Sequence, residues 1–175
     1  MADISSYSLE ALNVLVVEDN PNMQKLISEV LRALRIKNIR VAEDGGEALA
    51  ELGARPADLV ICDWEMEPMD GLVFTRTVRT DPESTDPYVP ILMLTGHTQS
   101  ERVEEARDAG VTEFLAKPIS VQSLYERMCW IIEKPRQFIK GGDYVGPCRR
   151  RVRPTEINNK GRRHGDPSDN VADDE

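Results

Sequence analysis

The stretch Leu59-Val60-Ile61-Cys62-Asp63 is an apolar run closed by a carboxylate, and three other segments repeat its design. Val14-Leu15-Val16-Val17 ends in Glu18-Asp19, Ile91-Leu92-Met93-Leu94 ends in Thr95, and Glu113-Phe114-Leu115-Ala116 ends in Lys117-Pro118. Continuous apolar runs of this length suit strands buried on both faces of a parallel sheet. In an open parallel sheet, ligands bind beyond the carboxyl ends of the strands. If the four segments are parallel neighbours, carboxylates, a hydroxyl and an ammonium converge on one spot.

Working outward, five strand candidates alternate with five helix candidates, the signature of an α/β fold. The strands lie near Asn13–Val17, Ile39–Ala42, Leu59–Cys62, Ile91–Leu94 and Glu113–Ala116. Met23, Leu26, Ile27, Val30, Leu31 and Leu34 recur at helical spacing. Asn20 caps that first helix, with Pro21 at a position where proline is tolerated. Asp44 with Glu47 starts a second helix, and Gly71 to Arg79 forms a third. Thr98 with Glu101 makes a capping box for a fourth, and Ser120 caps a fifth that carries Val121, Leu124, Met128, Ile131 and Ile132. The fourth helix is the odd one. Between Glu101 and Ala109 its only large apolar residue is Val103, so it should pack weakly and shift readily. Asp81–Pro90, with three prolines, reads as a surface connection.

The 175 residues have room for one domain with a core plus an appendage. Residues 1–12 form an N-terminal extension, 13–134 the domain, and 135–175 a basic then acidic tail. Gly141-Gly142, Gly146-Pro147 and Asn158-Asn159 break up the tail, which is expected to be largely unstructured. The net charge of −9 is uneven. Residues 1–134 carry 13 Lys and Arg against 24 Asp and Glu, which argues against nucleic-acid binding. No apolar run is long enough to cross a bilayer, and Met1 to Glu10 lacks the pattern of a secretory signal. Cys62, Cys129 and Cys148 are scattered, as expected of reduced thiols in a cytoplasm rather than of a metal cluster.

Asp63 is suited to act as a carboxylate nucleophile toward phosphorus. Phosphoryl transfer needs positioning and charge neutralisation more than covalent chemistry. Glu18, Asp19 and Asp63 can serve a hard cation such as Mg²⁺, which takes oxygen ligands and keeps several waters. Lys117 offers a positive charge and Thr95 a hydroxyl for phosphoryl oxygens. Taken singly, each has an ordinary role: a helix cap, a solvated lysine, a turn threonine. Their shared place at the ends of four strands makes coincidence a poor explanation.

Through those motifs, residues from about Asn13 to Lys134 resemble a response-regulator receiver domain of two-component signalling. Val14-Leu15-Val16-Val17-Glu18-Asp19, Asp63 to Gly71, Leu94-Thr95-Gly96 and Lys117-Pro118 carry the likeness. The resemblance implies a doubly wound, five-stranded flavodoxin-like sheet flanked by five helices. It implies phosphorylation of Asp63 by a histidine kinase or phosphotransfer protein, with Mg²⁺ as cofactor. It also implies a metal ligand from the Glu65 backbone carbonyl, a cis peptide at Lys117-Pro118, and a switch made of Thr95 and Phe114. Phe114 reads equally well as a plain core residue. Glu65 and His97 flank the path of the hydrolytic water and are expected to tune the phosphate's lifetime.

Such a chain is a cytoplasmic signalling switch rather than an enzyme, and its output is protein–protein contact. Two other readings stand behind it. A Mg²⁺-dependent phosphohydrolase with an aspartyl intermediate would place its nucleophile on the first strand, whereas Asp63 follows the third. A receiver that works without phosphorylation would not need Asp19, Asp63, Thr95 and Lys117 together. In the tail, Tyr144-Val145-Gly146-Pro147-Cys148-Arg149-Arg150-Arg151 weakly resembles an element that ends some alphaproteobacterial single-domain regulators. With Arg153 it offers positive charge to an acidic partner, RNA, a membrane surface or the acidic receiver itself.

Overall fold

Along the first strand, Val14 and Val16 pack into one core, and Leu15 and Val17 into another. This period of two is what a strand imposes, and it explains why the run is apolar throughout: both sheet faces are covered. The computed structural model describes residues 9–96, 100–141 and 144–148. The expectations for Met1 to Ser8, His97, the Thr98–Glu101 cap, Arg149–Arg151 and Arg153 lie outside the described residues.

Strands β1 (Asn13–Val17), β2 (Asn38–Ala42), β3 (Leu59–Asp63), β4 (Ile91–Thr95) and β5 (Glu113–Ala116) form one sheet in the order β2-β1-β3-β4-β5. Every pairing is parallel. The helices are α1 (Pro21–Ala33), α2 (Gly45–Ala54), α3 (Gly71–Thr80), α4 (Ser100–Ala109) and α5 (Val121–Glu133). The fold is the doubly wound α/β arrangement expected. Strand order reverses between β1 and β3, and that switch point opens a crevice at the carboxyl ends.

One core joins α1 and α5 to the sheet through Ile27, Leu31, Leu124 and Met128. The other joins α2 and α3 through Ala48, Leu52, Phe74 and Val78. Leu26, counted in the α1 stripe, is instead 44% exposed. A smaller cluster of Trp64, Leu72, Met93, Ala106, Ala109 and Val111 seats α4.

Caps follow side-chain chemistry. Asn20 Oδ1 accepts from the Asn22 and Met23 N–H groups, and Asp44 Oδ1 from those of Gly46 and Glu47. Ser120 and Ser123 form a reciprocal box on α5. The structure differs from the sequence reading just beyond Lys134. Phe138–Gly141 (β6) and Tyr144–Pro147 (β7) form an antiparallel hairpin that lies against α3 and α4. Neither strand carries a clean apolar alternation, because partners remote in sequence hold the hairpin.

Candidate functional site

The register of the central strands brings the site together. Val17 pairs with Cys62, so the Glu18-Asp19 pair that follows β1 stands beside Asp63 at the end of β3. Asp63 pairs with Leu94, next to Thr95, and Thr95 pairs with Ala116, next to Lys117. Four separate segments thus deliver their polar termini to one edge of the sheet.

Glu18, Asp19 and Asp63 each place a carboxylate oxygen within 4.8 Å of the others. Glu18 and Asp63 are buried and Asp19 is exposed. The Lys117 ammonium lies 2.9 Å from Asp63 Oδ1 and 3.4 Å from Glu18 Oε2. The Trp64 N–H donates to Asp63 Oδ1 at 2.8 Å, and the Asn20 N–H to Glu18 Oε1 at 3.3 Å. Burial and the neighbouring Asp63 carboxylate push the Glu18 carboxyl above its ordinary range, against the pull of Lys117. Burial alone would lower Lys117, but Asp63 and Glu18 outweigh it and hold its pKa above normal. The ammonium therefore stays charged at neutral pH.

Several supports went unread in the sequence. Gln24, one turn into α1, donates to the Glu18 carbonyl at 2.6 Å and steadies the end of β1. Its only signal was a polar residue facing the strand end from the first helical turn. Gly71 donates its N–H to the Trp64 carbonyl at 3.0 Å. A Cβ at Gly71 would collide with the Asp63 carbonyl oxygen and come within 2.9 Å of Met93 Sδ. Only glycine lets α3 start this close to the carboxylate.

The remaining expected residues fall around this centre. Thr95 is buried at the end of β4, and its carbonyl accepts from the Lys117 N–H at 2.8 Å. Lys117-Pro118 is a cis peptide, as is Glu67-Pro68. Phe114 is partly buried against the cluster of Trp64, Met93, Ala106 and Val111. Glu65 is exposed, two residues beyond Asp63.

Residues 14–128 match the family model described as "Response regulator receiver domain". The chain belongs to that family. This receiver is 32% identical over 123 residues to chemotaxis protein CheY-3 of Vibrio cholerae, covering 70% of this chain and 93% of the relative. A solved structure of Vibrio cholerae CheY4 matches it with a TM-score of 0.62 at 31% identity, over 67% of this chain and 96% of that one. The receiver domain of the sensor histidine kinase PA1611 from Pseudomonas aeruginosa, with a magnesium ion coordinated in its active site cleft, matches with a TM-score of 0.60 at 29% identity. That match spans 68% of this chain and 94% of the other. Receiver domains are signalling modules of two-component systems rather than classical enzymes. Among the described residues, no helix is long and apolar enough to cross a membrane.

Proposed function

We propose that this receiver accepts a phosphoryl group on Asp63 from a histidine kinase or phosphotransfer protein and changes its protein contacts in response. The observation that carries the reading is the contact of Lys117 Nζ with Asp63 Oδ1 at 2.9 Å beside the three clustered carboxylates. An Asp63 oxygen forms the bond to phosphorus as the bond to the donor's nitrogen breaks. Lys117 meets the negative charge of the arriving group, and Thr95 donates a hydrogen bond to one of its oxygens.

The all-oxygen donor set of Glu18, Asp19 and Asp63 fits a hard divalent cation, and by the family resemblance the Glu65 carbonyl would be a further ligand. When bound, Mg²⁺ would offset the charge that phosphoryl oxygens bring to a site already rich in carboxylates. A phosphoryl group adds about −1.5 to −2 charges. Thr95 reads that charge, and Phe114, behind it in the α4 cluster, passes the change to the surface. We place this activity in the cytoplasm, with a downstream protein as its target. The phosphohydrolase reading is not favoured, because Asp63 ends the third strand of a receiver fold.

The test is titration with beryllofluoride and Mg²⁺ while following tryptophan fluorescence. Trp64 is hydrogen-bonded to Asp63 through its backbone, so the wild type should respond and Asp63→Asn should not. An equal response in both proteins removes the proposal.

A further inference from the structure

Helix α4 has little of its own to hold it. Ala106 and Ala109 are its buried residues among those described, and its contacts run to α3 and to β7. What sits against it is the C-terminal hairpin. Two glycines make that approach possible. Gly110, at the end of α4, has φ +96°, and a Cβ there would come within 2.9 Å of the Val145 carbonyl oxygen. A Cβ on Gly146 would come within 2.9 Å of the Gly110 Cα. Backbone therefore rests on backbone, as only glycine allows.

Three polar side chains complete the attachment. Tyr144 donates its hydroxyl to the Pro147 carbonyl at 2.8 Å and the Arg107 carbonyl at 3.4 Å. Arg136 joins the base of the hairpin to the head of β5, donating to the Thr112 carbonyl at 3.1 Å and the Cys148 carbonyl at 2.7 Å. Arg79 of α3 is 2% exposed and donates to the carbonyls of Gly110 and Pro87. The Phe138 ring covers it, 5.0 Å from the guanidinium, and stacks edge-on against Tyr88.

We propose that the β6–β7 hairpin is a releasable strap that sets the seating of α4. The contacts above close it, and the same interface holds the reason it can open. Arg79 Nη2 and Arg136 Nε are buried with no hydrogen-bond partner among the described residues. Burial also depresses the Arg79 pKa to about 10. Each unsatisfied donor opposes docking, and opening returns it to water. The docked state is thus favoured by glycine packing and Phe138 and opposed by two stranded guanidinium donors. Once the strap lifts, α4 keeps only Ala106, Ala109, the half-buried Val103, the exposed Arg76–Glu105 ion pair and the Arg79 bond to the Gly110 carbonyl among the anchors described. The device is independent of the identity of the phosphoryl acceptor.

Hydrogen exchange on the full chain tests it. Gly146→Val drives a branched side chain toward Gly110 and lifts the strap without touching either main core. The amides of Gly110 and Val111, bonded to the Arg107 and Ala106 carbonyls, should exchange about tenfold faster or more, with α1 and α5 unchanged. Tyr144→Phe should shift the same amides in the same direction by less. If the hairpin amides speed up while α4 does not, the strap does not seat the helix. If α1 and α5 speed up equally, the hairpin is ordinary core, and the proposal falls. Should Gly146→Val fail to fold, Tyr144→Phe decides alone: an α4-selective change supports the strap and no change overturns it.

Discussion

Lys117 Nζ stands 2.9 Å from Asp63 Oδ1, and the same ammonium lies 3.4 Å from Glu18 Oε2. One cation thus serves two buried carboxylates. Lys117→Ala should slow phosphoryl uptake from acetyl phosphate about 10²-fold or more, the usual effect of losing one charge-stabilising donor. It should also tighten Mg²⁺ binding, because the cation would no longer compete with an ammonium for the same oxygens. Phosphorylation rates and a Mg²⁺ fluorescence titration read the two effects separately. Unchanged values of both would show that Lys117 has no part in the site.

The raised pKa of Glu18 carries a sign for stability. An acid whose folded pKa lies above its unfolded value favours folding when protonated, and that contribution is lost as pH rises through the folded pKa. Glu18→Gln should therefore stabilise the metal-free protein at pH 7, with a gain that shrinks as the solution is acidified toward the ordinary Glu range. Urea unfolding in a chelating buffer, followed from neutral pH down into the ordinary Glu range, measures the trend. A gain that grows on acidification contradicts it.

Gly71→Ala tests the close approach of α3 to the acceptor strand. The added methyl meets the Asp63 carbonyl oxygen and Met93 Sδ. Overpacking of this kind costs about 1–3 kcal/mol. Denaturant midpoints should fall accordingly, and the Trp64–Asp63 geometry should shift, visible as a changed amide resonance for Trp64. A neutral substitution would mean that β3 and α3 move apart freely.

Asn20→Ala removes the oxygen that accepts from Asn22 and Met23. The loss is about 1 kcal/mol, which lowers Tm by roughly 2–4 °C for a chain of this size. Beryllofluoride binding should survive, because Asn20 meets Glu18 through its backbone N–H.

The sheet was legible because its strands are apolar on both faces, so each stands out as an unbroken run such as Leu59-Val60-Ile61-Cys62. The polar ends were legible for the same reason: Asp63, Glu18-Asp19, Thr95 and Lys117 are abrupt departures from those runs. Asn20, Asp44 and Ser120 were readable as caps because a cap is local chemistry. What stayed hidden depends on distant partners. Nothing in Phe138-Ile139-Lys140-Gly141 announces a strand, since Arg79 and Tyr88 hold Phe138 from elsewhere in the chain. Gln24 looked like any polar helix residue until β1 and α1 were placed together. Val103 as the one large apolar residue from Glu101 to Ala109 did signal a thinly anchored helix, but not what would lean on it.

The proposed strap would also give the receiver a mechanical asymmetry. A load applied at Cys148, by a fluorophore or a surface attached there, acts directly on β7 and on the seat of Gly146 against Gly110. The same load applied to α1 meets a helix bolted to the sheet by Ile27 and Leu31. A strap that releases as proposed would give the molecule a stiff side at α1 and a compliant side at α4, with Cys148 as the handle to the second.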